Sequence, residues 1–138
     1  MQLSLEALIA QLKTARYGDR DLDLEMYKIL GLCVQDVWRC GEGISWRDGD
    51  MIGYAHLPSY TTSFDAIYNI FPSNVSINMG ITLKCNNGKR HKDSVMVWTH
   101  DDKNNQVSRF CPPIINAATP ALVLCIALLE FKLFERDK

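Results

Sequence analysis

Two groups of side chains have the chemistry to hold a flat or anionic ligand. Trp46, Arg47, Tyr54, His56 and Tyr60 fall in one short stretch, where aromatic faces that stack on a nucleobase sit beside cations that grip phosphate. Lys84, Lys89, Arg90, His91 and Lys92 surround one predicted turn, where charge-assisted hydrogen bonds would hold a phosphate. Each group has a plainer explanation. Aromatics are favoured in strands for packing alone, and lysines on turns and edges discourage unwanted strand pairing. Gly88-Lys89 lacks the upstream glycine and the following Ser or Thr of a phosphate-binding loop. Trp46, Arg47, Tyr54, Tyr60, Arg90 and His91 are therefore the ligand-binding candidates, and Trp38 and Trp98 are assigned to the core or its edge.

Catalytic and metal chemistry find less support. His100-Asp101-Asp102, with Asp48 and Asp50 elsewhere, has the residue types of a small metal-dependent or metal-independent hydrolase, but aspartates that open a polar turn serve local backbone hydrogen bonds. His56 is the other histidine considered for that role. The five cysteines, Cys33, Cys40, Cys85, Cys111 and Cys125, include no C-x-x-C pair, and the three histidines show no ligand spacing with them. They read as reduced thiols filling gaps rather than as a zinc site. No catalytic residue, metal or cofactor is assigned.

The candidates need elements to position them. Leu5, Leu8, Ile9 and Leu12 predict an amphipathic helix stopped near Gly18, and Leu22, Met26, Ile29, Leu30 and Cys33 predict a second, capped by Asp19 or Asp21. Residues 34–43 lose periodicity and read as irregular. Ile44 to Arg47 and Asp50 to Tyr54 flank Asp48-Gly49, a hairpin signal. Ser59 to Ser63 offer caps for a short helix striped by Phe64, Ile67, Tyr68 and Phe71 and ended by Pro72. Strict alternation from Ser76 to Cys85 predicts a strand, followed by antiparallel strands over 94–100 and 107–110. Thr119-Pro120 then opens a helix whose first half is apolar nearly all round, so it must be covered by its neighbours. Antiparallel strands with helices before, between and after them predict an α+β fold, a mainly antiparallel sheet with helices covering one or both of its faces, the both-faces version being a three-layer α/β/α sandwich.

Composition sets the outer bounds. At 138 residues, 47% hydrophobic and 22% charged, the chain reads as one domain over 1–138 with a true core. Pro120 to Leu129 covers about half of the ~20 residues that a membrane-spanning helix needs. An acidic residue within the first apolar run, Glu6, argues against a secretory signal, so a cytoplasmic location is expected. A net charge of −1 and a pI near 6.3 lack the basic footprint of a dedicated nucleic-acid binder.

Pro58-Ser-Tyr-Thr-Thr-Ser-Phe-Asp-Ala-Ile67 and Ala118-Thr-Pro-Ala-Leu-Val-Leu-Cys-Ile-Ala-Leu-Leu129, with Gly18-Asp-Arg-Asp-Leu-Asp23 as a weaker third, resemble the phage alpha-beta-alpha sandwich domain family. The resemblance spans most of the chain and implies the three-layer fold and a bacteriophage origin. It carries over no catalytic residue. The expected function is a non-enzymatic phage accessory protein in the host cytoplasm, binding a nucleotide-like immune signal or a host defence protein, as a homo-oligomer. A virion or morphogenesis component is the remaining alternative.

Overall fold

The computed structural model describes residues 3–30, 36–72, 74–80, 94–100, 106–110 and 117–136. Arg90, His91, the other basic residues of that turn, Asp101, Asp102, Cys33, Cys85 and Cys111 lie outside the described residues, as do the side chains of Trp98 and His100.

Local signals place the first two helices. Ser4 caps α1 (Leu5–Thr14), its hydroxyl accepting from the Ala7 amide at 3.1 Å. Asp19 caps α2 (Arg20–Ile29), its Oδ1 accepting from the Leu22 amide at 2.7 Å. These side chains satisfy amides that a helix start leaves without intrahelical partners. Gly18 is not the stop of α1, which ends at Thr14 with Ala15 already extended. Its role is close approach: a Cβ at Gly18 would overlap the Thr61 carbonyl and side chain. Gly18→Ala must push that backbone aside, and we expect a loss of about 1–3 kcal/mol in chemical denaturation, the usual cost of overpacking.

The segment predicted to be irregular holds a strand. β1 (Asp36–Cys40), β2 (Gly43–Asp48) and β3 (Met51–His56) form an antiparallel meander in the order β1-β2-β3. Both connections are two-residue loops, Gly41-Glu42 and Gly49-Asp50, and each begins with a glycine at φ +63°. Primed hairpin turns demand positive φ at the first central residue, and glycine adopts it without strain. The loop is thus Gly49-Asp50 rather than Asp48-Gly49. The pairing slides by two positions, so Trp46 opposes Gly53.

Ser63 caps α3 (Phe64–Tyr68), accepting from the Ala66 amide at 3.2 Å. Only Ile67 of this helix is buried, and Phe64 and Tyr68 stack on each other at the surface with ring centroids 6.1 Å apart. β4 (Val75–Gly80), β5 (Ser94–His100) and β6 (Gln106–Phe110) form a second antiparallel sheet in the order β4-β5-β6. The α+β class and the antiparallel pairing match expectation. The described strands divide into two three-stranded sheets where the sequence predicts one.

α4 (Pro120–Arg136) organises the core. Thr119 caps it through its hydroxyl, 3.2 Å from the Leu122 amide, and Ala121 to Leu129 are all buried. Leu8, Ile9 and Leu12 of α1, Leu22 and Met26 of α2, Tyr60 and Ile67 join the same cluster. α1 runs antiparallel to α4, with Lys13 reaching Glu130 at 3.6 Å and Arg136 reaching Glu6 at 2.7 Å.

Candidate functional site

Register alone sorts the side chains of the first sheet onto two faces, because residues opposite one another across an antiparallel pair point the same way. One face carries the rows Asp36–Arg47–Ile52, Trp38–Ser45–Tyr54 and Cys40–Gly43–His56. The other carries Val37–Trp46–Gly53 and Arg39–Ile44–Ala55. The second is the inner face: Ile44 is 1% exposed, and Arg39 donates to Asp21 of α2 at 2.8 Å. The first looks outward. Tyr54 is 77% exposed, Ile52 56% and Trp38 42%, and Arg47 and His56 are exposed beside them.

The geometry of that outer face suits a flat ligand. Trp38 and Tyr54 stand on the two edge strands with Ser45, itself 2% exposed, between them. Neighbouring strands lie ~4.8 Å apart, so the two residues are anchored roughly 10 Å apart with a covered small residue between them. A planar group can lie across the exposed rings. Arg47 sits one row along, on the central strand, where its guanidinium can reach an anionic substituent.

Of the candidates named from sequence, Arg47 and Tyr54 come together here. Trp46 lies on the opposite face, its indole filling the space above Gly53, where any Cβ would collide with it. Tyr60 is 2% exposed in the helical core, where no ligand reaches it. Arg90 and His91 lie outside the described residues. Trp38 and Ile52 complete the face. Trp38, expected at the core or its edge because aromatics are favoured in strands for packing, is turned outward by its pairing through β2 to Tyr54.

The face is anchored from behind by a buried polar cluster. Asp23, fully buried on α2, receives Arg20 Nη1 at 2.8 Å on Oδ2, and the Thr61 amide at 2.8 Å and hydroxyl at 2.7 Å on Oδ1. Arg20 also donates to the Ser59 hydroxyl at 3.0 Å and to the carbonyls of Glu42 and Leu57. Glu42 is in the first turn of the meander and Leu57 follows its last strand. One guanidinium therefore ties one end of the β1–β3 unit, beside the Cys40–Gly43–His56 row, to α2. The segments 18–23, 58–67 and 118–129 meet near this point, since Cys125 Sγ of α4 donates to the Tyr60 carbonyl at 3.2 Å.

Burial leaves an electrostatic signature. The Tyr60 hydroxyl is pushed up to about 12, first by desolvation and then by the negative potential of Tyr27 and Asp23, and the same burial pushes the Cys125 thiol up. Between the ordinary tyrosine value near 10 and about 12 the folded state holds a proton that the unfolded chain releases, so stability is intact below pH ~10 and falls as pH rises through that window. Tyr60→Phe should flatten the decline in urea titrations between pH 10 and 12, leaving the part that Cys125 contributes in the same sense. An equal slope in both proteins would contradict the assignment.

A depression beside α1 and α2 is lined by Gln11, Thr14, Asp19, Asp21 and Glu25. Its carboxylates repel an anion, so the outer face of β1–β3 is the better candidate. Among the described residues no three His, Cys, Asp or Glu side chains are placed to hold a metal ion, and no helix is long and apolar enough to cross a membrane. No family model, curated protein or solved structure matches the chain.

Proposed function

We propose that this chain is a non-enzymatic accessory protein of bacteriophage origin that acts in the host cytoplasm and binds a host-derived, nucleotide-like signal on the outer face of β1–β3. The observation that carries this reading is the row Trp38–Ser45–Tyr54, with two exposed rings over a buried serine and Arg47 beside it. Large aromatics left uncovered on a rigid sheet have a cost in water that a stacked ligand removes. The three-layer packing implied by the resemblance to phage sandwich domains belongs to the same proposal.

Calorimetry with a panel of cyclic nucleotides and ADP-ribose derivatives tests it. Trp38→Ala and Tyr54→Ala should each weaken binding by about 1–3 kcal/mol, the worth of one stacking platform. Arg47→Ala should weaken anionic ligands and spare uncharged nucleosides. Trp46→Phe, on the other face, should leave affinity unchanged. Absence of heat with every member of the panel would overturn the nucleotide reading and turn attention to a host protein as the partner. Product formed from the panel, and lost in His56→Ala, would replace binding by hydrolysis.

A further inference from the structure

We propose that β3 is the pairing edge of a homodimer, joined to β3 of a second copy in one continuous six-stranded sheet with Gly53 at its twofold axis. This goes beyond ligand binding and is read out without any ligand.

Among the described residues nothing covers the outer edge of β3. The strand pairs there with β2 alone, whereas α2 packs against β1 at the other side of the meander. Natural sheets blunt free edges with lysine, proline, bulges or covering elements. Met51-Ile-Gly-Tyr-Ala-His56 holds no Lys, Arg, Asp, Glu or Pro, its pairing with β2 shows no register break, and every residue of it except Gly53 is exposed. The two-residue turn makes Asp48–Met51 the hydrogen-bonded pair that closes the hairpin. Met51, Gly53 and Ala55 consequently turn their amides and carbonyls towards β2, and Ile52, Tyr54 and His56 turn theirs to the open edge.

Symmetry limits how two such edges can join. A twofold axis perpendicular to the sheet pairs β3 antiparallel with its copy and keeps each face on its own side, so residues of like parity oppose one another. The axis therefore passes through Gly53 or through Tyr54. Through Gly53, Ile52 meets the partner's Tyr54 and Met51 meets the partner's Ala55. One residue beyond the strand, exposed Asp50 falls beside the partner's His56. Each of the three pairs occurs twice by symmetry. An axis through Tyr54 sets Asp50 against the partner's Pro58 and leaves the Asp50 carboxylate without the His56 ring N–H as a donor. Polar complementarity selects Gly53, and so does shape. With no side chain there, the Trp46 indoles that roof Gly53 in each copy can close over the axis on the inner face. On the outer face the two Trp38–Tyr54 rows become one surface.

Sedimentation velocity of the full chain tests this. The wild type should be a dimer at about 100 µM. Asp50→Lys, which removes the acceptor for the partner's His56 ring N–H, and His56→Glu, which sets two carboxylates together, should each raise the dissociation constant ~100-fold or more. The double variant Asp50→Lys with His56→Glu sets lysine against glutamate across the seam and should restore the dimer. Ile52→Lys adds the missing edge protection and should also give a monomer. All three positions are exposed, and an unchanged far-ultraviolet spectrum will show that the fold is kept. A monomeric wild type, or single variants that stay dimeric, would overturn the proposal; a double variant that remains monomeric would overturn the Gly53-centred register.

Discussion

Asp23→Ala is expected to lower the free energy of unfolding by about 3–5 kcal/mol, the range for breaking a buried ion pair by removing one partner. The carboxylate is fully buried, and three donors converge on it: Arg20 Nη1 and the amide and hydroxyl of Thr61. Taking a carboxylate out of water costs several kcal/mol, and these charge-assisted bonds offset it only while all are made. In Asp23→Ala the Arg20 guanidinium, 17% exposed, keeps only the solvent-exposed Glu42 carboxylate at 3.5 Å as a counterion, and the Thr61 amide loses its acceptor. Asp23→Asn separates the two effects. It can still accept from Thr61 through Oδ1, but its other atom either bears no charge or presents N–H groups to Arg20. Urea denaturation of both variants measures the split. A loss below about 1 kcal/mol in Asp23→Ala would mean that water or Glu42 had replaced the carboxylate. Because Arg20 also holds the carbonyls of Glu42 and Leu57, the same variant should loosen the β1–β3 unit, seen as faster hydrogen exchange at Gly43 and Ala55.

Leu124→Ala is expected to cost about 2–5 kcal/mol, with the upper end reached if the site cannot collapse around the void. Leu124 is 0% exposed and lies within nine consecutive buried residues of α4. Its neighbours in the cluster come from α1, α2, α3 and the 57–61 segment, each fixed by its own cap or ion pair, so relaxation into the cavity is limited. Leu133→Ala, on the half-buried last turns of the same helix, is the control and should cost clearly less. Equal losses at the two positions would mean that depth of burial along α4 does not set the cost, since alanine is the better helix former at both.

What could be read from the chain before its fold was known follows the range of the forces involved. Helix starts are written within three residues: Ser4, Asp19, Ser63 and Thr119 each accept from an amide three positions on. Asp19, Ser63 and Thr119 lie within the predicted caps, while Ser4 precedes a helix read from its apolar stripe alone. The apolar circumference of α4 likewise implies burial, whatever covers it. Alternation from Ser76 matches the described part of β4, and β5 and β6 fall within a residue of the strands expected after it. β1 escaped because Asp36-Val-Trp-Arg-Cys40 has no alternation of its own, and its place is set by the partner strand across a glycine turn. The hairpin was found, but its register depended on whether glycine stands first or second in the loop, a matter of two positions of slip.

The candidate site shows the same division more sharply. Residue types alone identified Arg47 and Tyr54 as groups able to hold an anion and stack on a ring, because that capacity belongs to the side chain itself. Whether such a group is offered to solvent is decided by neighbours distant in sequence. Tyr60 carries the same ring as Tyr54 and is buried by α4, Trp46 is turned inward over Gly53, and Trp38 is turned outward by its pairing through Ser45. Asp23 has the composition of a surface helix residue, and only Arg20 and the Thr61 segment, brought to it across 38 residues, make its burial affordable. Local sequence determined the helix caps, the strand propensities and the chemical reach of each side chain. Tertiary structure decided which of them are exposed, which share a face and which edge is open, since burial and pairing energies arise only where separated segments meet.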